Sequence, residues 1–140
     1  MIPEKQAAIE AIEAKRDVIT DVADHIWEYA ELSLQEEKSA ALYCEVLERE
    51  GFQVEKGICG IETAFSATYG SGRPLIGILA EYDALPGLSQ KAGSLIREEL
   101  VPGGCGHGCG HNLLGAGAMA AAIGIRAYLK QSKMPGTVIF

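Results

Sequence analysis

The sequence has few basic residues and no long apolar segment, and these two shortages exclude several classes of function. Its 140 residues contain 12 lysines and arginines against 19 acidic residues, which gives a formal net charge of −7. Nucleic-acid binding is disfavoured, because neutralising phosphates requires clustered basic side chains. No apolar run approaches the roughly 18 residues of a membrane span, and the acidic, amphipathic N-terminus is unlike a signal peptide. We therefore expect a cytoplasmic protein that binds neither nucleic acid nor membranes.

The remaining composition is that of a folded domain. Hydrophobic residues make up 48% and charged residues 22% of the chain, which is the ordinary globular range. The charge is uneven, since 15 of the 19 acidic residues lie within residues 1–70. Most of them fall on the polar faces of predicted helices, so we interpret them as solvated surface.

Apolar residues at helical spacing predict two helices in the first 50 residues. The first is a long amphipathic helix from Pro3 to about Ala30. The second runs from about Gln35 to Glu50, with Ser33 as its N-cap and Gly51 as its C-terminal stop.

The pattern after Gly51 is that of strands. Residues 52–55 and 64–69 alternate between apolar and polar and predict a hairpin-like strand pair. The continuous apolar run 75–80 is typical of a central strand that is covered on both faces.

The last third of the chain predicts a parallel βαβ unit. A loop-rich region from about residue 84 to 110 leads into an apolar, small-residue helix from about Asn112 to Gln131, which we expect to be buried against the sheet. A strand beginning at Thr137 follows, so strand, crossover helix and strand form the unit. Because that strand would stop at Phe140 without a turn, we expect residues 1–140 to be the front part of a larger domain.

Two groups of potential ligands flank the loop-rich region. Glu81 and Asp83 come just past the carboxyl end of the apolar strand, where open α/β sheets bind their ligands. The second group is the segment Cys105-Gly-His107-Gly-Cys109-Gly-His111, in which thiol and imidazole side chains alternate with glycine. Such donors suit zinc or another late first-row divalent metal. Asn112 is a candidate N-cap of the helix that follows.

Other interpretations of the cysteine and histidine segment remain open. Cys105 and Cys109 could form a redox or structural pair, although they lack the Cys-x-x-Cys spacing. Cys109 and His111 could form a nucleophile and base pair. A closed site with four ligands from seven residues is hard to wrap around one ion. An open site that borrows ligands from elsewhere in the protein is easier to build.

The segments Ala80-Glu-Tyr-Asp-Ala-Leu-Pro-Gly-Leu-Ser-Gln90 and Gly106-His-Gly-Cys-Gly-His-Asn-Leu-Leu-Gly115 resemble the M20 family of metallopeptidases and amidohydrolases. The resemblance is strongest to the aminobenzoyl-glutamate utilization branch of that family. It implies a three-layer α/β/α, zinc-peptidase-like catalytic domain, of which this chain is the N-terminal portion. It also implies two divalent metal ions, zinc or manganese, and hydrolysis of amide bonds in N-acyl amino acids, dipeptides or p-aminobenzoyl-glutamate. The parent protein is expected to be a homodimer or hetero-oligomer.

The resemblance also implies roles for individual residues. Cys109 and His111 fall on the metal-ligand motif of the family, with Glu81 and His107 as further candidate ligands. Asp83 falls on the aspartate of the Asp-Ala-Leu-Pro motif and is expected to act in catalysis by orienting a ligand or the metal cluster.

The family pattern continues beyond the last strand of this chain. There it has a Glu-Glu pair that supplies a general base and a ligand, followed by histidine ligands. We therefore expect the 140-residue chain to be inactive by itself. The alternative hypothesis is a stand-alone zinc-binding module without catalysis.

Overall fold

The structure is a computed structural model that describes residues 2–140, and its regular elements are four helices and four strands among those residues. The helices are α1 Pro3–Glu13, α2 Arg16–Tyr29, α3 Glu37–Arg49 and α4 His111–Ser132. The strands are β1 Gln53–Lys56, β2 Phe65–Ser71, β3 Leu75–Gly77 and β4 Gly136–Ile139. A single 3₁₀ turn, Ile58–Gly60, joins β1 to β2.

The four strands form one mixed sheet in the order β1-β2-β4-β3. β1 and β2 are antiparallel, β2 and β4 are antiparallel, and β4 and β3 are parallel. Tyr69 of β2 lies opposite Val138 of β4, and Ile76 of β3 lies on the other side of Val138. The predicted α/β class, the antiparallel strand pair and the parallel βαβ unit are therefore confirmed.

Helices and sheet share one hydrophobic core. The sheet contributes Ala67, Val138 and Phe140, which lie on one face because they follow the two-residue period of paired strands. Helices α2, α3 and α4 cover that face with the buried side chains of Val22, Ile26, Tyr43, Val46, Leu47, Met119, Ala122 and Ile123. The core thus fixes the start of α4 relative to the carboxyl ends of β3 and β4.

The prediction of one helix from Pro3 to Ala30 is wrong, because the helix breaks between Glu13 and Arg16. Lys15 leaves helical geometry at φ −110° and ψ 11°, and its ammonium lies 2.6 Å from the buried carboxylate of Glu50. Glu50 also pairs with Arg126 of α4 at 2.9 Å. The break lets α1 and α2 pack against α4 as separate segments. No glycine or proline marks it, so the spacing of apolar residues could not reveal it.

Two predicted helix caps are also wrong. α3 begins at Glu37 rather than Gln35, and Ser33 does not cap it, because the carboxylate of Glu31 accepts hydrogen bonds from the first free amides. α4 begins at His111, with Gly110 as the preceding cap residue at φ 85°. That left-handed conformation suits glycine. Asn112 is therefore inside the helix, where its side chain has a different partner.

Within residues 2–140, the run 75–80 does not form the predicted central strand. Only Leu75–Gly77 is strand, and it lies at the edge of the sheet, with Leu75 59% and Ile76 44% exposed. β4 takes the central position, because it pairs with β2 on one side and with β3 on the other. A continuous apolar run predicts burial but not the order of strands in the sheet.

α4 has the length and composition of a membrane-spanning helix. It packs against α1, α2 and the sheet, and Met119, Ala122 and Ile123 are fully buried there. Such packing is typical of the core helix of a folded domain. The predicted burial of this helix against the sheet does not extend to its first turn, where Leu113 is 66% and Leu114 48% exposed.

Gly115 allows the first turns of α4 to approach the segment that carries Glu81. A Cβ at this position would overlap the hydroxyl of Tyr43 and lie 2.9 Å from the carbonyl oxygen of Glu81. A Cβ on Gly117, two residues along the same helix, would meet no atom within 4 Å.

We expect Gly115→Ala to lower the free energy of unfolding by about 1–3 kcal/mol, because overpacking displaces backbone. Gly117→Ala is the matched control and should leave stability unchanged or raise it by up to about 1 kcal/mol through helix propensity. Urea denaturation of both variants checks this, and equal stabilities would contradict the close approach at Gly115.

Candidate metal centre

The segment that carries Glu81 and Asp83 is held in place by backbone hydrogen bonds on both sides. Ile78 extends the pairing of β3 by donating its amide to the carbonyl of Ile139 at 2.8 Å. Ala84 donates its amide to the carbonyl of Glu31 at 2.7 Å. The chain between these two points lies beyond the carboxyl ends of the parallel strands, as the sequence predicts.

Glu31 supports this segment and the start of α3 at the same time. Its carboxylate accepts hydrogen bonds from the amides of Lys38 and Ser39 at 3.0 and 2.9 Å and from the hydroxyl of Ser39 at 2.8 Å. The negative charge lies at the N-terminus of α3, where the helix dipole stabilises it. Its own carbonyl accepts the hydrogen bond from Ala84. The sequence does not reveal this role of Glu31, because Ser33 is a more familiar type of helix cap.

The imidazole of His111, at the first residue of α4, lies between two carboxylates. Its Nδ1 is 2.7 Å from Oδ1 of Asp83, and its Nε2 is 3.2 Å from Oε2 of Glu81. The side chains of His111 and Asp83 are 18% and 22% exposed, and that of Glu81 is 55% exposed. The three residues each offer a ligand atom, and these atoms lie within 4.8 Å of one another.

The geometry of this triad fits a divalent cation. A neutral imidazole carries one N–H. If Nδ1–H donates to Asp83, the lone pair of Nε2 faces the carboxylate oxygen of Glu81. Two acceptors in this position repel each other unless a proton or a cation lies between them. A histidine that donates one ring N–H to a carboxylate while its other nitrogen faces a metal is a common arrangement at metal sites.

Cys109 and His107 lie outside this triad. Cys109 has a free thiol and is exposed in the turn that precedes α4. His107 is partly buried, and its Nε2 lies 2.9 Å from the carbonyl of Ile26 at the end of α2. Burial lowers the pKa of His107. Its buried Nδ1 has no hydrogen-bond partner among residues 2–140. That both residues are metal ligands stays a prediction.

Two side chains attach the ligand segment to helix α2. Besides the contact of His107 with Ile26, the buried amide of Asn112 donates to the carbonyl of Ala23 at 3.2 Å. His107 precedes Cys109, and Asn112 follows His111, so the two contacts flank the segment that carries both candidate ligands. α2 therefore positions this segment. The part that Asn112 plays in this contact is not apparent from the sequence, where it is a candidate N-cap.

A cavity of about 520 Å³ opens beside the triad and is lined by Glu81, Asp83 and His111. Aromatic side chains form part of its wall, namely Phe65, Tyr82 and Phe140. Burial raises the pKa of Tyr82, and the nearby carboxylate of Glu36 raises it further. The Tyr82 hydroxyl donates to the carbonyl of Thr63, which holds this wall against the loop before β2.

No protein-family model matches the chain, but individual proteins do. The chain is 48% identical over 131 residues to a subunit of the p-aminobenzoyl-glutamate hydrolase of Escherichia coli (strain K12), covering 94% of this chain and 27% of that protein. It is 28% identical over 144 residues to the human Xaa-Arg dipeptidase, covering 94% of this chain and 29% of that enzyme. The chain thus spans less than a third of the length of these relatives.

Two solved structures share the fold. One is described as an aminohydrolase from methicillin-resistant Staphylococcus aureus, with a TM-score of 0.75, 25% identity and coverage of 96% of this chain and 33% of that one. The other is the Bacillus subtilis protein YXEP, described as a dinuclear metal-binding peptidase of the M20 family. Its TM-score is 0.68 at 28% identity, covering 91% of this chain and 35% of that one. These similarities confirm the resemblance to the M20 family and the fold class that it implies.

Removal of the Asn112 amide should loosen the ligand segment. We expect Asn112→Ala to lower the free energy of unfolding by about 1–2 kcal/mol, because a buried hydrogen bond is lost. Amide hydrogen exchange of residues 105–111 should become faster than in the unmodified chain, while that of α3 stays the same. The control is Gln131→Ala, which removes an exposed amide from the same helix. Unchanged exchange in Asn112→Ala would show that the contact with α2 does not position this segment.

Proposed function

We propose that this chain is the N-terminal part of the catalytic domain of a longer, metal-dependent amidohydrolase of the M20 type. The observation that carries the proposal is the His111 imidazole, which has a carboxylate at each ring nitrogen, beside an open cavity at the carboxyl ends of parallel strands. The similarity to hydrolases and to a dinuclear metal-binding peptidase supports the same function.

His111, Cys109 and Glu81 are the residues that would hold metal, with His107 as a further candidate. Thiolate and imidazole donors suit zinc, and carboxylate donors suit manganese as well as zinc. Two divalent ions are proposed for the complete enzyme, and residues outside this chain would supply the remaining ligands and the general base. When bound, such a metal pair supplies an activated water and polarises the scissile carbonyl.

Asp83 acts by orienting His111. By accepting the hydrogen bond from Nδ1–H, its carboxylate fixes the tautomer in which Nε2 presents a lone pair. The same contact prevents rotation of the ring away from Glu81. The short bond from Ala84 to Glu31 fixes the backbone next to Asp83, so this orientation is set before a metal binds.

The proposed substrate is a small molecule with an amide bond, such as an N-acyl amino acid, a dipeptide or a compound like p-aminobenzoyl-glutamate. The E. coli relative is named as part of a p-aminobenzoyl-glutamate hydrolase and the human relative as a dipeptidase. The apolar and aromatic wall of the cavity suits an acyl group of this size. We place the enzyme in the cytoplasm as a homodimer or hetero-oligomer, and the naming of the E. coli relative as one of several subunits supports the latter.

Loss of the proposed ligands should abolish catalysis. In the longer polypeptide that contains residues 1–140, we expect Cys109→Ala and His111→Ala each to remove metal-dependent hydrolysis of p-aminobenzoyl-glutamate, and a chelator should do the same to the unmodified enzyme. Cys59→Ala is the matched control, because this cysteine is exposed and belongs neither to the triad nor to the cavity lining. Normal activity of Cys109→Ala would exclude this cysteine as a ligand, and chelator-resistant activity would overturn the metal mechanism.

The orienting role of Asp83 predicts a weaker metal site in its absence. We expect Asp83→Ala to reduce zinc affinity in the same polypeptide by about 10–100-fold, as loss of an outer partner of a ligating histidine does. Titration calorimetry measures this, with Glu62→Gln as an exposed carboxylate control. The alternative function, a stand-alone zinc module, predicts that the 140-residue chain alone binds one zinc tightly and folds cooperatively with it.

A further inference from the structure

Glu36 is a buried carboxylate in the same cavity, and nothing in the proposed mechanism uses it. The residue is 7% exposed, and its Oε2 has no hydrogen-bond partner among residues 2–140. It occupies the N-cap position of α3 but makes no capping hydrogen bond. Glu31 caps that helix instead, and Glu36 is one of the residues that line the cavity.

Burial of a carboxylate without a partner is costly, and buried polar groups in native proteins almost always have one. The missing partner must donate hydrogen bonds or carry positive charge. No lysine or arginine among residues 2–140 lines the cavity, whereas Glu36, Glu81 and Asp83 all do. The cavity is therefore suited to a ligand that brings its own N–H donors.

The wall beside Glu36 indicates the shape of that ligand. Phe65 lies with its ring centroid 6.1 Å from that of Tyr82 and 5.7 Å from that of Phe140. Tyr82 and Glu36 line the same cavity. Flat aromatic surfaces bind flat groups by stacking, and they also attract cations.

We propose that Glu36 is a specificity-determining residue that accepts hydrogen bonds from a planar, N–H-bearing group of the substrate. An arylamine and a guanidinium both have this chemistry. The planar group lies along the wall of Phe65, Tyr82 and Phe140, with its donors at Glu36, while the scissile amide lies toward His111. This inference rests on the proposed amidohydrolase function and adds a selectivity that the metal site cannot provide.

The test compares substrates that differ only in the donor group, using the metal-loaded longer polypeptide. One pair is p-aminobenzoyl-glutamate and benzoyl-glutamate, and the other is alanyl-arginine and alanyl-norleucine. We expect kcat/KM to favour the donor-bearing member of one pair by about 10–100-fold, the range of one hydrogen bond to a charged group. The pair that shows the preference identifies the source as arylamine or guanidinium.

In Glu36→Gln and Glu36→Ala, the ratio of kcat/KM between the two substrates of that pair should fall to about threefold or less. The kcat/KM for the substrate without the donor group should stay nearly unchanged. Glu37→Gln, at the exposed carboxylate next to it, should keep the preference. Absence of preference in the unmodified enzyme, or equal loss for both members in the Glu36 variants, would overturn the inference. Loss of stability in Glu36→Gln with the preference retained would show that another part of the protein pairs with Glu36, and would also overturn it.

Failure of the proposed amidohydrolase function can be distinguished from failure of the inference about Glu36. If the metal-loaded enzyme cleaves none of the four substrates, the amidohydrolase proposal fails, and binding then decides the role of Glu36. We expect 4-aminobenzamide to bind at least about tenfold more tightly than benzamide, and Glu36→Gln to remove the difference. Equal affinities of the two amides would overturn the inference.

Discussion

The rest of the candidate site depends on the position of the His111 imidazole between Asp83 and Glu81. His111 is the first residue of α4, and the two carboxylates follow β3 in the chain. Their contact therefore joins the helix and the strand of the βαβ unit at one point. The hydrophobic core beneath this contact fixes the helix and the strand, because α4 packs against the sheet face that carries the buried side chains of β2 and β4. A metal site of this kind requires ligands that are already placed to within a fraction of an ångström, and a helix and a sheet provide that precision better than loops do.

The sequence predicted the secondary-structure elements better than their arrangement. The α/β class and the βαβ unit followed from apolar periodicity, whereas a role for Asp83 in orienting a ligand was implied only by the resemblance to the M20 family. The helix break at Lys15 could not be predicted, because ion pairs with distant Glu50 stabilise it. The central position of β4 depends on which strands pair, and periodicity within a single strand carries no information about its neighbours.

The acidic residues illustrate the same limit. Their interpretation as solvated surface holds for most positions and is wrong for Glu36 and Glu50, which are 7% and 6% exposed. Glu50 pairs with two basic side chains from α4 and the α1–α2 junction, whereas Glu31 caps α3. A glutamate on the polar side of an amphipathic pattern can thus be a core ion pair, a cap or a cavity wall, and only the distant partner decides which.

The strand order has a consequence for how the protein folds. β4 lies between β2 and β3 although it comes last in the chain, so the sheet stays in two pieces until roughly sixty residues after β3 have been traversed. Closure over such a distance is slow compared with hairpin formation. During synthesis we therefore expect the contact between Asp83 and His111 to form late, after β4 has emerged and paired with β3.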